Sequence, residues 1–367
     1  MIPFVNLPQQ WLAYKEELEG AALQVLRSGH SVGGAEIDAL EKELCSYIQI
    51  PHAITCGSGT DALTLALLAL GISRGDEVIV PDFTFIAPAE CVAILGGIPR
   101  FADIGKNTYL INPASVEALI TPRTKGIIAV DLFGQCADYK ALRKIADAHG
   151  LWIIEDAAQS FGASQCGRAA GTFGDIAATS FYPTKPLGCS GDGGAVFTAS
   201  DELAHRIREL ANHGCSSRYF HERIGLNSRL DALQAAILRV KLRHLNEELP
   251  RRVRNAELYN QFFAGIPGIR TPQIAAGNGS TYAQYTLLCD DRAAFDKFLD
   301  TAGIPYCIHY PRALHRQPCF ADLQSAENPY TEAACGGVIS LPVCAFTNIK
   351  EIISAFRSSP ESFPGRT

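Results

Sequence analysis

The chain of 367 residues has no CxxC pair, no GxGxxG or GxxxxGK[ST] run, no internal repeat and no low-complexity stretch. Without CxxC spacing, its twelve cysteines do not read as a zinc ribbon, a thioredoxin-like redox centre or a cysteine-held iron–sulfur cluster. An excess of positive charge is missing as well. Lys and Arg number 32 against 38 Asp and Glu, a net charge of −6, so no basic surface invites nucleic acid or an anionic membrane. The longest apolar run, 62–72, is broken by Thr64 and falls far short of the roughly 20 residues that span a bilayer. Residues 1–10 lack the basic stretch and apolar core of a secretory signal. The expectation is a cytoplasmic chain whose cysteines are small buried thiols, with a core large enough to do without disulfide staples.

Hydrophobic residues make up 47% and charged residues 19%, enough for a sizeable core and too apolar for intrinsic disorder. At about 150 residues per domain, the length predicts two domains. Apolar runs at 77–80, 125–130, 152–155, 177–181 and 195–198 alternate with helical stretches such as 60–70 and 139–149. Several runs are apolar on both faces, the pattern of strands covered by helices on either side. This predicts an α/β domain with a mostly parallel sheet. Residues 228–263 read as one long helix or a pair broken at Pro250. Beyond Gly265, a loop-rich passage leads to a strand at 282–289, a helix at 292–302 and a strand at 306–310. The expected division is 1–245 for an N-terminal arm and large domain, and 246–367 for a small C-terminal α+β domain.

Three segments at strand ends carry chemistry. Cys56-Gly57-Ser58-Gly59-Thr60-Asp61 stands before an apolar helix. Its glycines allow a tight turn, and the free N–H groups of a helix start suit a phosphate. A plain N-cap is the other reading of that turn. Next, Ile153-Ile154-Glu155-Asp156-Ala157-Ala158-Gln159-Ser160 puts two acids at the carboxyl end of a strand, where α/β sheets bind ligands. Neighbouring strand residues face opposite ways, so one acid points into the site unless it caps the next helix. The third segment is Ser180-Phe181-Tyr182-Pro183-Thr184-Lys185-Pro186-Leu187-Gly188, ahead of Gly191-Asp192-Gly193-Gly194. Low-charge surroundings depress a lysine's pKa and make its amine nucleophilic, whereas a solvated turn lysine is the competing reading. An anion cradle, an acid and a lysine, each at a strand end, favour the chemical reading of all three together.

In this combination the chain resembles the fold-type-I pyridoxal-phosphate enzymes, and among them the DegT/DnrJ/EryC1/StrS nucleotide-sugar aminotransferases. The resemblance runs from residue 2 to about 345. It rests on Gly57-Ser58-Gly59-Thr60-Asp61-Ala62-Leu63, Gly75-Asp76-Glu77-Val78-Ile79, Pro81-Asp82-Phe83-Thr84-Phe85, Glu155-Asp156-Ala157-Ala158-Gln159-Ser160, the Lys185 segment and Asn227-Ser228-Arg229-Leu230-Asp231. It implies pyridoxal 5'-phosphate bound covalently to Lys185, which also moves the proton between carbons. Asp156 is implied to pair with the pyridine nitrogen, Gln159 to hydrogen-bond the ring hydroxyl, and Phe85 to stack on the ring. Gly59, Thr60 and Ser180 are implied to hold the phosphate. Asn227 is implied to reach that phosphate from the neighbouring subunit, which makes a homodimer part of the active site. Members with histidine at the lysine position dehydrate instead, and Lys185 sets the chain apart from them. No metal site is expected.

Gln159 with Ser228-Arg229-Leu230-Asp231 resembles members that aminate carbon 3 of a 3-oxo sugar. Members acting on carbon 4 more often carry His for that Gln and an Asn-Tyr-Arg-Met run. Similarity to the UDP-2-acetamido-2-deoxy-3-oxo-glucuronate aminotransferases implies Arg229, His309 and Tyr310 around the sugar carboxylate. It also implies L-glutamate as amino donor and a product used in bacterial surface polysaccharide. The alternatives are a helix-surface ion pair for Arg229, a strand position for His309, a dTDP-3-oxo-6-deoxyhexose or 4-oxo-sugar substrate, and a non-catalytic regulator of the same fold. Ser31-Val32-Gly33-Gly34-Ala35 and Pro311-Arg312-Ala313-Leu314 depart from the pattern. Arg312 is a candidate contact to a diphosphate or carboxylate, while His30 and His315 read as structural or incidental.

Overall fold

In the computed structural model, which describes residues 2–323 and 326–358, seven strands form the main sheet. Residues 359–367 of the expected small domain lie outside the described residues. The strands are β1 (His52–Cys56), β2 (Glu77–Pro81), β3 (Ile98–Ala102), β4 (Thr124–Val130), β5 (Trp152–Asp156), β6 (Ile176–Ser180) and β7 (Gly194–Thr198). Their lateral order is β1-β7-β6-β5-β4-β2-β3. β7 runs antiparallel to β1 and β6, and every other neighbouring pair is parallel. The five runs read as strands are β2, β4, β5, β6 and β7. β1 and β3 are the two edges. Pro99 and Arg100 interrupt the apolar pattern of β3, which an edge position tolerates.

Helices on both faces bury the sheet, so β2 and β7 are buried along their whole length. The helix Gly59–Ala69 is apolar on nearly every side and lies inside the core; the Ser58 hydroxyl caps it by accepting from the Asp61 N–H at 3.0 Å. The helix Tyr139–His149 is capped likewise by Asp138 and ends on Gly150, whose φ of 65° only glycine adopts readily.

One helix of 32 residues, Ala232–Phe263, runs unbroken through Pro250. An interior proline costs about 3 kcal/mol. Leu238, Leu242 and Leu245 pack into the large core on one side of it, and Ala256, Tyr259 and Phe263 into a second core on the other. Each buried leucine contributes about 1.5–3 kcal/mol, so packing outweighs the missing hydrogen bond. The division at 245/246 falls inside this helix. Residues 228–231, expected to open it, are extended instead, and Asp231 is its N-cap.

The second core lies against an antiparallel sheet of Ile269–Arg270, Tyr285–Cys289 and Val338–Leu341, backed by Arg292–Ala302 and Ile349–Ser358. The strand expected at 282–289 begins only at Tyr285. The run 306–310 is no strand: between Pro305 and Pro311, Cys307 makes a single bridge to Ser340. The N-terminal arm, Leu7–Ala13 and Lys15–Ser28, lies along the long helix. Tyr14 stacks on His244 at 4.0 Å, and Gln10 Nε2 donates to the Glu248 carboxylate at 2.9 and 3.0 Å. All twelve cysteines are free thiols, and among the described residues no helix is long and apolar enough to cross a membrane.

Candidate active site

β1 ends at Cys56, and the chain turns through Gly57 and Ser58 into its buried helix. The first N–H groups of that helix, at Gly59 and Thr60, have no helical partner. They sit against the end of β6: a Cβ on Gly59 would lie 2.7 Å from the Ser180 Cβ, and one on Gly194 would lie 2.4 Å from the Ser58 carbonyl oxygen. Only glycine permits backbones to come this close. The free N–H groups and the half-buried Ser180 hydroxyl form a cradle of donors for a phosphate. Gly59→Ala pushes β6 away from the turn, and it is expected to weaken pyridoxal-phosphate binding in an equilibrium titration by about tenfold or more.

The strand alternation separates the two acids. Glu155 turns away from the cradle and accepts the N–H groups of Gly171 (2.5 Å), Phe173 (2.6 Å) and Gly174 (3.3 Å), so it ties down a loop. Asp156 faces Lys185 and is 5% exposed. Burial pushes its carboxyl up to about 6, and the Ala158 N–H (3.0 Å) and the Lys185 charge hold it back from rising further. Burial lowers the Lys185 amine, and Asp156 opposes that shift. The loop 182–188 that carries the lysine is fixed by the Lys185 N–H on the Tyr182 carbonyl (2.9 Å) and by the Cys189 N–H on the Phe181 carbonyl (2.8 Å).

Gln159 is buried and doubly held. Its Oε1 accepts from the Phe133 N–H at 2.8 Å, and its Nε2 donates to the Tyr310 hydroxyl at 3.3 Å. Phe133 makes that contact from a left-handed backbone, φ 59°. The loop around it is anchored by the buried Asp131 carboxylate, which accepts from the Ala137 N–H, the Tyr139 hydroxyl and the Ser160 hydroxyl at 2.8–2.9 Å. Neither Phe133 nor Asp131 is singled out by a local pattern in the sequence. Tyr310 also lies 6.4 Å from the ring of Phe85, which is 54% exposed and free to stack on a ligand. His309 Nδ1 is 3.0 Å from the Ser340 hydroxyl, and burial with the nearby Lys185 charge pushes the imidazole down to about 4.

The structure therefore brings Lys185, Asp156, Gln159, His309, Tyr310 and Phe85 together, with Gly59, Thr60 and Ser180 forming the cradle. Asn227 and Arg229 stand apart. Both are exposed on the segment beside Gly57, and neither side chain has a hydrogen-bond or ion-pair partner, His309 and Tyr310 included, among the described residues. Arg312 is exposed as well. His315 is structural, as expected. Its Nδ1 lies 2.5 Å from the buried Asp82 carboxylate and its Nε2 lies 3.2 Å from Glu332, which ties the end of β2 to the C-terminal part of the chain. Among the described residues no cluster of His, Cys, Asp or Glu is arranged to hold a metal.

This donor set fits pyridoxal phosphate at each of its functional ends. The glycine turn would hold the phosphate, Asp156 would face the ring nitrogen, Gln159 would reach the ring hydroxyl and Lys185 would meet the aldehyde carbon. Residues 13–356 match the DegT/DnrJ/EryC1/StrS aminotransferase family. The chain is 46% identical over 352 residues to the UDP-2-acetamido-2-deoxy-3-oxo-D-glucuronate aminotransferase of Pseudomonas aeruginosa, covering 96% of this chain and 98% of that one. The structure of a DegT/DnrJ/EryC1/StrS aminotransferase from Brucella abortus superimposes with a TM-score of 0.94 at 39% identity, over 98% of this chain and 99% of that one. NtdA of Bacillus subtilis, solved with bound cofactor PMP, gives a TM-score of 0.87 at 30% identity, over 95% of this chain and 82% of that one. By sequence and fold, the chain belongs to the DegT/DnrJ/EryC1/StrS aminotransferase family, whose enzymes work with pyridoxal phosphate.

Proposed function

We propose that this chain transfers the amino group of L-glutamate to carbon 3 of UDP-2-acetamido-2-deoxy-3-oxo-glucuronate. It acts as a cytoplasmic homodimer with shared active sites, in the synthesis of a bacterial surface polysaccharide. Residues 1–245 serve as arm and cofactor unit, and 246–367 as the small unit. The observation that carries the uronate assignment is Arg229, an exposed guanidinium beside the phosphate turn with no ion-pair partner among the described residues. A planar guanidinium takes a carboxylate in bidentate fashion. The 46% identity to an enzyme named for that uronate supports the same reading.

When bound, pyridoxal phosphate supplies an electron sink for the carbanion left as the amino acid's α-carbon loses its proton. The chain's own residues do the rest. Gly59, Thr60 and Ser180 hold the phosphate end while the Lys185 amine is released for acid–base work. With its pKa lowered by burial, that amine takes the proton from one carbon and returns it to another. Asp156 keeps a carboxylate on the ring nitrogen, Gln159 fixes the ring hydroxyl, and Phe85 covers the ring face. Asn227 and Arg229 come from the second subunit, to the phosphate and the sugar carboxylate, while His309 and Tyr310 line the sugar on the lysine side. Across the two half-reactions, glutamate leaves as 2-oxoglutarate and the sugar ketone becomes an amine.

A panel of nucleotide oxo-sugars with glutamate tests this. The uronate is expected to be the best acceptor. Arg229→Ala is expected to lower its kcat/KM by about 30-fold, the worth of a charge-assisted bidentate pair, with a neutral 3-oxo sugar changed by no more than about twofold. A preference for a dTDP-3-oxo-6-deoxyhexose or a 4-oxo sugar overturns the uronate assignment, as does an equal loss on the neutral sugar.

A further inference from the structure

Residues 227–231 form an extended segment with strict alternation: Asn227, Arg229 and Asp231 are exposed, while Ser228 and Leu230 are buried. Both inward residues touch the cofactor cradle of their own chain. The Ser228 hydroxyl accepts from the Gly57 N–H at 3.0 Å and donates to Asp61 Oδ2 at 2.7 Å. Leu230 packs with Phe181 and Cys189 at the lysine loop, so closely that a Cβ on Gly193 would lie 2.7 Å from its Cδ1. Otherwise the segment is held by the Ser228 N–H on the Ala211 carbonyl and by isolated bridges at Asn227 and Asp231.

Asp61 explains why the hydroxyl matters. Its carboxylate lies in the first turn of the phosphate helix, where an uncompensated negative charge opposes a bound phosphate. Ser228 aims its proton at that carboxylate, and the same atom accepts from the turn's own backbone. One 1% exposed hydroxyl thus shapes the cradle of its own site and sets the segment whose outward side chains stand ready for a second chain.

We propose that Ser228 is a positioning residue that couples the two active sites of the dimer, linking the phosphate cradle of one site to the Asn227 and Arg229 offered to the other. The proposal rests on the shared-site reading above. Mixed dimers test both and keep them apart. As a control, Lys185→Ala protomers are paired with Arg229→Ala protomers. Measured as kcat/KM for the uronate, shared sites predict one intact site and about half the wild-type value; a value of about a sixtieth, half of an Arg229→Ala site, overturns shared sites, and coupling with them.

Next, Ser228→Ala is placed on the Lys185→Ala protomer, so that it can reach the working site only through Asn227 and Arg229. The KM for the oxo sugar at that site is expected to rise about tenfold, the worth of a hydrogen bond to a charged group, with kcat within about twofold. With Ser228→Ala on the lysine-bearing protomer instead, the sugar KM is expected to hold, and pyridoxal-phosphate affinity, read by equilibrium titration, to weaken about tenfold. An unchanged sugar KM in the first pairing overturns the coupling and leaves Ser228 local to its own cradle. Asp61→Asn keeps an acceptor for the hydroxyl but removes the charge. Placed on the Lys185→Ala protomer, it is expected to raise the sugar KM at the working site by a smaller factor, and on the lysine-bearing protomer to leave pyridoxal-phosphate affinity no weaker than wild type, which keeps the test of coupling decisive if Ser228→Ala folds poorly.

Discussion

Lys185→Ala is expected to lower turnover by about 10⁴-fold or more, and to abolish the red shift in absorption that a bond to the lysine adds to that of free pyridoxal phosphate. The size follows from the absence of a substitute within reach. His309 is the other base beside it, but its imidazole is pushed down to about 4 and its Nδ1 is engaged with Ser340, so it is too weak to take a carbon-bound proton. On the proposed reading, the Asp156 carboxylate is taken up by the ring nitrogen and does not serve as that base. Arginine does not restore the function, because a guanidinium stays protonated and forms no bond to the aldehyde carbon. The phosphate cradle does not involve the lysine side chain, so the variant is expected to retain noncovalent cofactor binding in equilibrium dialysis. Residual turnover within a hundredfold of the wild type would mean that another base on this chain reaches the reacting carbon.

The strands that carry these groups are legible in the sequence because each is a short apolar run buried on both faces, a pattern complete within five to seven residues. Lys185 and the Glu155-Asp156 pair are legible for the same reason: each lies within a few residues of such a run. Which acid enters the site depends on the register of β5, and there simple alternation separates Asp156 from Glu155. The segment 228–231 reads as helix and is not. Leu230 and Leu233 follow a helical spacing into the true helix, while the ties that hold the segment extended come from Gly57, Asp61 and Ala211. Such partners leave no local pattern. The same holds for His315, whose carboxylate partner is 233 residues away, and for Phe133, whose left-handed backbone is imposed by its surroundings. Side chains set by neighbours in sequence are readable, whereas those set by a distant partner become visible only in the fold.

Asp156→Asn is expected to remove function and to add stability, and the two effects share one cause. The amide cannot hold a proton on the ring nitrogen, so turnover is expected to fall by about 10²–10³-fold, the size seen when one preorganised electrostatic partner is lost. For stability, the sign follows from the shift. The folded protein keeps the Asp156 proton up to about pH 6, whereas the unfolded chain releases it near the usual 3.8. The unfolded state therefore binds fewer protons between those values, and the stability this group lends is full below pH 3.8 and is lost as pH rises through 6. A shift of about two units corresponds to a loss of at most about 3 kcal/mol. Asparagine has no such titration. Unfolding of the two cofactor-free proteins in urea is therefore expected to show the variant gaining on the wild type by up to about 3 kcal/mol between about pH 4 and pH 7. Adding pyridoxal phosphate is expected to narrow that gap at about pH 7, because a protonated ring nitrogen gives the buried carboxylate its missing partner. A gap that stays constant with pH would mean that Asp156 is solvated in the cofactor-free protein. A gap that opens with pH and closes with cofactor would show that the site holds an ionised acid in an unfavourable place until the ring arrives to neutralise it.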